Sequence, residues 1–234
     1  MFLQTVKLDA RLLSVAALVR PGSRVADIGT DHAYIPVYLL QNGVSPSAVA
    51  ADLREMPLEN AKKTIKMYSL ENRIKTVLSD GLDGISENDC DDVVIAGMGG
   101  LLMTELIART DWLKNSRFRL VLQPMSHAHE LRRFLLENGF DVVEERCSKD
   151  GRHYYCAIAA EYTGKAQPFS PAVPYVGTLS QHDDEITKAY LQKQLSCLEK
   201  RFCALKNATA DNAAEVARLS EIINDFKRLT EEKI

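Results

Sequence analysis

Val25-Ala26-Asp27-Ile28-Gly29-Thr30-Asp31-His32-Ala33-Tyr34-Ile35-Pro36 reads as a short apolar strand that passes through a one-glycine turn into a helix opened by a proline. A dinucleotide-binding fold keeps G-x-G-x-x-G at such a turn, so that a pyrophosphate meets bare backbone at the helix N-terminus. Here Gly29 stands alone between the carboxylates of Asp27 and Asp31. Those charges repel phosphate and attract a cation. A ligand with a sulfonium and an α-ammonium group fits them, which points to S-adenosylmethionine rather than NAD, FAD or ATP. The plainer alternative for Asp31 is a carboxylate that caps the following helix.

Outward from this turn, β-branched runs alternate with helical segments from Arg24 to Glu161, the pattern of βαβ units on a parallel sheet. Strands are expected at 24–28, 48–52, 74–78, 92–96 and 119–123. Pro36 and Gly43 bracket the first intervening helix, and Pro57 opens a second that runs to Tyr68. A further helix is expected over 128–138, ending at Gly139. Beyond it, 140–146 and 153–161 form a hairpin around Asp150-Gly151. Five parallel strands followed by a helix and a terminal antiparallel hairpin describe a class I methyltransferase, an α/β fold on a Rossmann-like sheet. The expected domain spans 1–162.

The segment 163–180 carries Gly164, Pro168, Pro171 and Pro174 and reads as a linker. In the remaining 181–234, Leu191, Leu195, Leu198, Phe202 and Leu205 recur at steps of four and three. Val216, Leu219, Ile223 and Phe226 repeat the rhythm after a polar break over 207–212. This predicts an antiparallel two-helix coiled coil with one seam that closes on itself. Lysines and arginines on its outer faces, among them Lys193, Lys200, Arg201 and Arg218, are interleaved with acids.

Composition narrows the function classes. The 234 residues suffice for one α/β domain with an appendage, and the net charge of −3 gives no global attraction to nucleic acid, so such binding needs a local basic patch. No apolar run approaches a membrane span, and Lys7, Asp9 and Arg11 interrupt the N-terminal stretch, so a cytoplasmic protein without a membrane partner is expected. Five cysteines without C-x-x-C spacing suggest buried, reduced thiols. His127 and His129 face different ways on a helix, so no metal is expected there.

Each distinctive polar group falls at a strand's carboxyl end, where doubly wound sheets bind their ligands. Asp52 can accept both ribose hydroxyls of an adenosine, and Asp80 with Gly81 suits the exocyclic amine of its adenine. Gly97-Met98-Gly99-Gly100 leaves room for the methionine arm, and Gln123-Pro124 closes the fifth strand.

With Leu8-Asp9-Ala10-Arg11-Leu12, Ala26 through Pro36, Ser79-Asp80-Gly81-Leu82, Ile95 through Gly100, Leu122-Gln123-Pro124 and Asn138-Gly139-Phe140, the chain resembles the bacterial TrmK family, which methylates N1 of adenine 22 in tRNA. The resemblance extends through the two-helix tail. It implies a cofactor site lined by Asp27, Gly29, Thr30, Asp31, Asp52, Asp80, Gly81, Gly97, Met98 and Gly99, with Arg11 toward the cofactor carboxylate. Asp52 stands where much of that family has glutamate, one methylene longer, and Thr30 replaces a commoner serine.

Neutral adenine offers the N1 lone pair, so methylation needs no base to remove a proton. Positioning and electrostatics remain as the enzyme's task. Asp31 is the expected group beside the target base, with His32 and Gln123 as neighbours. The base must leave its stack to react, and the tail is expected to clamp the tRNA. Two other classes compete: a small-molecule methyltransferase, which would need a lid over an apolar pocket, and a non-catalytic S-adenosylmethionine-binding protein, which would tolerate loss of the strand-end acids.

Overall fold

The computed structural model describes residues 5–166, 168–208 and 212–230. Within these, seven strands form one sheet in the order β3-β2-β1-β4-β5-β7-β6. The parallel part comprises β1 (Val25–Ile28), β2 (Ala48–Asp52), β3 (Ile74–Leu78), β4 (Asp92–Gly99) and β5 (Arg119–Ser126). β7 (His153–Tyr162) lies antiparallel on β5, and β6 (Phe140–Asp150) antiparallel on β7. β1 is buried at all four positions and β2 at all five, because helices cover both faces of the sheet.

Alternation along the strands splits the core in two. Val25, Ala48, Ala50, Val94 and Val121 face α1 (Ala10–Ala16), α2 (Tyr34–Gln41) and α3 (Glu55–Met67). Ala26, Ile28, Ile95 and Leu122 face the other way, where α4 (Gly100–Ala108) and α5 (Ala128–Glu137) pack. The strand order reverses between β1 and β4, which opens a crevice at their carboxyl ends.

The expected strands start within one residue of the observed ones, but β4 and β5 run on to Gly99 and Ser126. A register shift between Ala96 and Met98 lets the pairing continue past Gly97.

The tail differs from expectation in its packing. α7 (Glu185–Lys206) and α8 (Ala213–Thr230) form and meet one another, while the middle of the polar break, 209–211, lies outside the described residues. The seam, however, does not close on itself alone. Leu191, Leu198, Leu219, Ile223 and Phe226 belong to the same core as Ile95 and Leu122 of the sheet. The segment expected as a linker is also packed. Its short helix α6 (Val173–Val176) places Tyr175 and Val176 in that core, together with Ala172 and Leu179.

A buried ion pair sits at this junction. Arg132 Nε donates to Glu145 Oε1 at 2.7 Å, and neither side chain is more than 1% exposed. Arg132 Nη1 donates to the Pro174 carbonyl at 3.1 Å, and the Thr178 N–H donates to Glu145 Oε2 at 2.6 Å. Gly177, at φ 59°, passes so close that a Cβ there would collide with the Glu145 carboxylate. Asp225 of α8 accepts from the Ala172 N–H at 2.9 Å and ties the tail to the same segment. Prolines punctuate 163–180, yet Ala172, Tyr175, Val176 and Leu179 are buried in the core shared with the sheet, and the Thr178 and Ala172 N–H groups bond to Glu145 and Asp225.

Candidate active site

The turn after β1 is held by the N–H groups of Gly29 and Thr30, both donating to the Ala51 carbonyl at 2.8 and 3.0 Å. Gly29 has φ 73°, a left-handed backbone that favours glycine, and a Cβ there would lie 2.3 Å from the Met98 ε-methyl, which would have to swing aside. Asp27 is buried beneath the turn and accepts from the Thr30 hydroxyl at 2.5 Å. Burial pushes its carboxyl up to about 6, with the Asp52 charge adding to the shift and the Thr30 hydrogen bond opposing it. Asp27 makes no ion pair among the described residues. A buried acid lacking a protein cation suits a cationic ligand.

Asp31 and Ala33 both adopt left-handed backbone, at φ 49° and 55°. The N-cap of α2 is Ala33, without a side-chain cap, so Asp31 is not a helix cap. Its carboxylate is 61% exposed and lies 3.6 Å from His32 Nε2. The His32 ring stacks on Tyr34, with centroids 5.1 Å apart and planes at 9°.

Two adjoining cavities occupy the crevice. One, of about 410 Å³, is lined by Asp9, Arg11, Asp27, Thr30, His32 and Tyr34. The other, of about 350 Å³, is lined by Asp52, Leu53, Ser79, Asp80, Gly81 and Met98. Gly29, Asp31, Ala96 and Gly97 border both. Asp52 is held by the Arg54 N–H, which donates to it at 3.0 Å. Arg109, the C-cap of α4, donates to both the carbonyl and the carboxylate of Asp80, at 2.7 and 2.8 Å, and reaches Asp83 at 3.4 Å. A larger recess of about 560 Å³ between α1, β6 and the start of α7 contains none of the strand-end acids.

The structure thus brings together Arg11, Asp27, Gly29, Thr30, Asp31, His32, Asp52, Asp80, Gly81, Gly97 and Met98. It does not bring Gln123 or Gly99 to either cavity. Gln123 is fully buried beneath Arg11, whose Nη1 donates to its Oε1 at 2.7 Å, and its own amide donates to the Pro124 carbonyl at 3.0 Å. Gly99 is the N-cap of α4. Arg109 and Tyr34 went unremarked in the sequence. A lone arginine at a helix end carries no local signal, whereas Tyr34 opens α2 directly after the turn that follows β1, where an aromatic ring beside His32 is itself a local signal.

Residues 8–158 match the family model described as a methyltransferase domain. The tRNA (adenine(22)-N(1))-methyltransferase of Bacillus subtilis (strain 168) is 33% identical over 155 residues, which span 66% of this chain and 65% of that relative. The crystal structure of the B. subtilis m1A22 tRNA methyltransferase TrmK superposes with a TM-score of 0.82 at 28% identity, covering 97% of this chain and 98% of that one. The structure of M. capricolum TrmK in complex with the cofactor product S-adenosyl-homocysteine superposes with a TM-score of 0.79 at 25% identity, covering 96% and 98%. The chain belongs to the methyltransferase-domain family and, within it, to the TrmK-like proteins.

Proposed function

We propose that this chain methylates N1 of adenine 22 in tRNA, with S-adenosylmethionine as methyl donor, in the cytoplasm. The observation that carries the reading is the pair of cavities meeting at Gly29 and Gly97, one ringed by Asp52 and Asp80, the other bordered by Asp31, His32 and Arg11. A transferase needs adjoining sites for its donor and its acceptor. Among the described residues no helix is long and apolar enough to cross a membrane.

Bound S-adenosylmethionine supplies an electrophilic methyl group on a sulfonium. Asp52 accepts the ribose hydroxyls, and Asp80, held by Arg109, accepts from the adenine amine. Asp27 and the turn around Gly29 and Thr30 receive the α-ammonium group, and Arg11 the α-carboxylate. Gln123 acts on Arg11, as a positioning residue that fixes its guanidinium. Gly97 and Met98 wall the methionine arm. On the far side, Asp31 accepts a hydrogen bond from the target's 6-amino group and offsets the positive charge that grows on the ring. His32 sits beside that carboxylate and steadies it.

The direct test supplies S-adenosylmethionine labelled on its methyl group together with total tRNA and a low-molecular-weight extract. Label should enter tRNA and be recovered as 1-methyladenosine at position 22. Label confined to small acceptors, or absent from both, overturns the reading.

Asp27 adds a pH signature. Its folded carboxyl titrates near 6 rather than 3.8, so between those values the free protein holds a proton that the unfolded chain has released. Burial of the charged form therefore lowers stability as pH rises from about 4 through 6, and the penalty is fully present above. An ammonium group beside Asp27 requires the ionised form, so cofactor affinity should rise from pH 5 to pH 7 with proton release. Calorimetry in two buffers of different ionisation enthalpy measures that proton. Asp27→Asn should abolish the pH dependence, and its persistence in that variant would remove Asp27 as the source.

A further inference from the structure

We infer that Cys147 and Cys156 form a redox site: a peroxide joins them as a cross-strand disulfide, and the new bond loosens the buried junction that holds the helical tail. Of the five thiols, Cys90 and Cys156 are buried as expected, Cys147 is half-buried, and Cys197 and Cys203 are exposed; all five are free. The strand register sets one pair apart. Cys147 of β6 stands directly opposite Cys156 of β7, three rungs from the closing pair of Asp150 and His153. Opposed residues of antiparallel strands share a face and have Cα atoms about 4.5–5.5 Å apart, inside the ~4.4–6.8 Å window of disulfides. Both side chains meet the core that also holds Tyr190, Leu191 and Leu198 of the tail, Cys156 within it and Cys147 packed against it. Cys197 and Cys203 lie six residues apart on α7, a rise of about 9 Å, and cannot join one another.

The surroundings assign the two sulfurs different roles. Cys147 lines the recess of about 560 Å³ between α1, β6 and the start of α7, so an oxidant as small as hydrogen peroxide reaches it from solvent. Cys156 is enclosed: its thiol donates to Glu145 Oε1 at 3.5 Å and accepts from Arg132 Nη2 at 3.4 Å. Hydrogen bonding with Cys147, then burial, holds the Cys156 pKa well above the ordinary thiol value, so this sulfur keeps its proton until it has a partner. The Cys147 thiolate attacks one peroxide oxygen and the O–O bond breaks. Hydroxide leaves, becomes water with the proton that Cys147 released, and a sulfenic acid remains. The Cys156 sulfur then attacks the Cys147 sulfur, its proton passes to the Glu145 carboxylate, and the S–O bond breaks. The departing hydroxide collects that proton from Glu145, so two thiols and one peroxide give one disulfide and two waters. Glu145 Oε2 also accepts from the Thr178 N–H, and Arg132 Nη1 donates to the Pro174 carbonyl. A disulfide sulfur has no proton to donate, so Glu145 loses a donor and the ion pair that anchors Pro174 and Thr178 is held at one point fewer.

The full chain is treated with hydrogen peroxide, quenched with catalase, alkylated and cut with trypsin. Cleavage after Lys149 and Arg152 puts the two cysteines on separate peptides, 147–149 and 153–165. Mass spectrometry should recover these peptides linked, and dithiothreitol should part them. In Cys156→Ser, dimedone should instead trap Cys147 as the sulfenic acid, and Cys147→Ser should leave Cys156 unmodified. Amide hydrogen exchange over 173–181 should run about three- to tenfold faster in the oxidised parent, the scale for one lost hydrogen bond. It should keep the untreated rate in peroxide-treated Cys147→Ser. Absence of the linked peptide, or recovery of Cys147 only as sulfinic acid or joined to a second chain, overturns the redox site. A linked peptide with unchanged exchange, or with the same acceleration in Cys147→Ser, overturns its coupling to the tail.

Discussion

A chain cut after Pro174 is expected to lose its cooperative fold, not to survive as a separate cofactor-binding domain. The cut removes Tyr175, Val176, Leu179, Leu191, Leu198, Leu219, Ile222 and Phe226 from the core that also holds Ile95 and Leu122. Burial of one such large side chain contributes roughly 1.5–3 kcal/mol, so a handful already matches the ~5–15 kcal/mol that keeps a domain folded. The cut also takes the Thr178 N–H from Glu145 and the cover from Arg132. A milder version isolates the ion pair. Glu145→Gln leaves a buried guanidinium without its counter-charge and should cost about 3–5 kcal/mol. Thermal unfolding followed by circular dichroism and hydrogen exchange reads both. A truncated chain that melted cooperatively within about 5 °C of the full one would show the tail to be an independent unit, as its seam suggests in the sequence.

Asp31→Asn is expected to lower single-turnover methyl transfer by about 10²–10³, the scale for losing one preorganised group that answers charge in a transition state. Cofactor affinity should change by no more than about threefold, because the carboxylate's proposed partner is the target base. Asparagine tolerates the left-handed backbone that residue 31 adopts at φ 49°, so the turn should keep its shape. In the free protein the carboxylate is well exposed, and water screens it. RNA closing over the crevice would remove that water and strengthen its field at the moment of transfer. Equilibrium binding of S-adenosylmethionine and rapid-quench transfer on preformed complex separate the two effects. If the variant bound cofactor poorly while its bound complex reacted at the parent rate, Asp31 would be a cofactor ligand only.

The parallel sheet and its ligand-facing ends were legible because strand ends carry local signals: a β-branched run, then aspartate or glycine. The turn at Asp27 to Asp31 was the clearest of these. What stayed hidden depends on contacts between distant positions. Gln123 looked like a neighbour of the target base because it ends a strand, but its partner is Arg11, brought there by α1. Arg109, at the end of α4, acquires its meaning from Asp80, which follows β3. In 163–180 the prolines and glycines were weighed as breakers. They do break regular structure, but breaking a helix does not prevent burial, and Tyr175, Val176 and Leu179 pack as firmly as strand residues. The seam of the tail was correctly periodic, yet periodicity reports which face is apolar and not what covers it.

The junction of the two cavities bears on inhibitor chemistry. Gly29 and Gly97 border both lobes, and the Met98 methyl stands where a Cβ of residue 29 would be. A compound that joins an adenosine-like head to a purine-like head would have to pass these glycines and the Met98 methyl, which favours an unbranched tether. A protonated amine in that tether would lie near Asp27 and Asp31 and gain from both carboxylates, whereas a phosphate or sulfonate tether of the same length would meet the charges that exclude nucleotides from the turn.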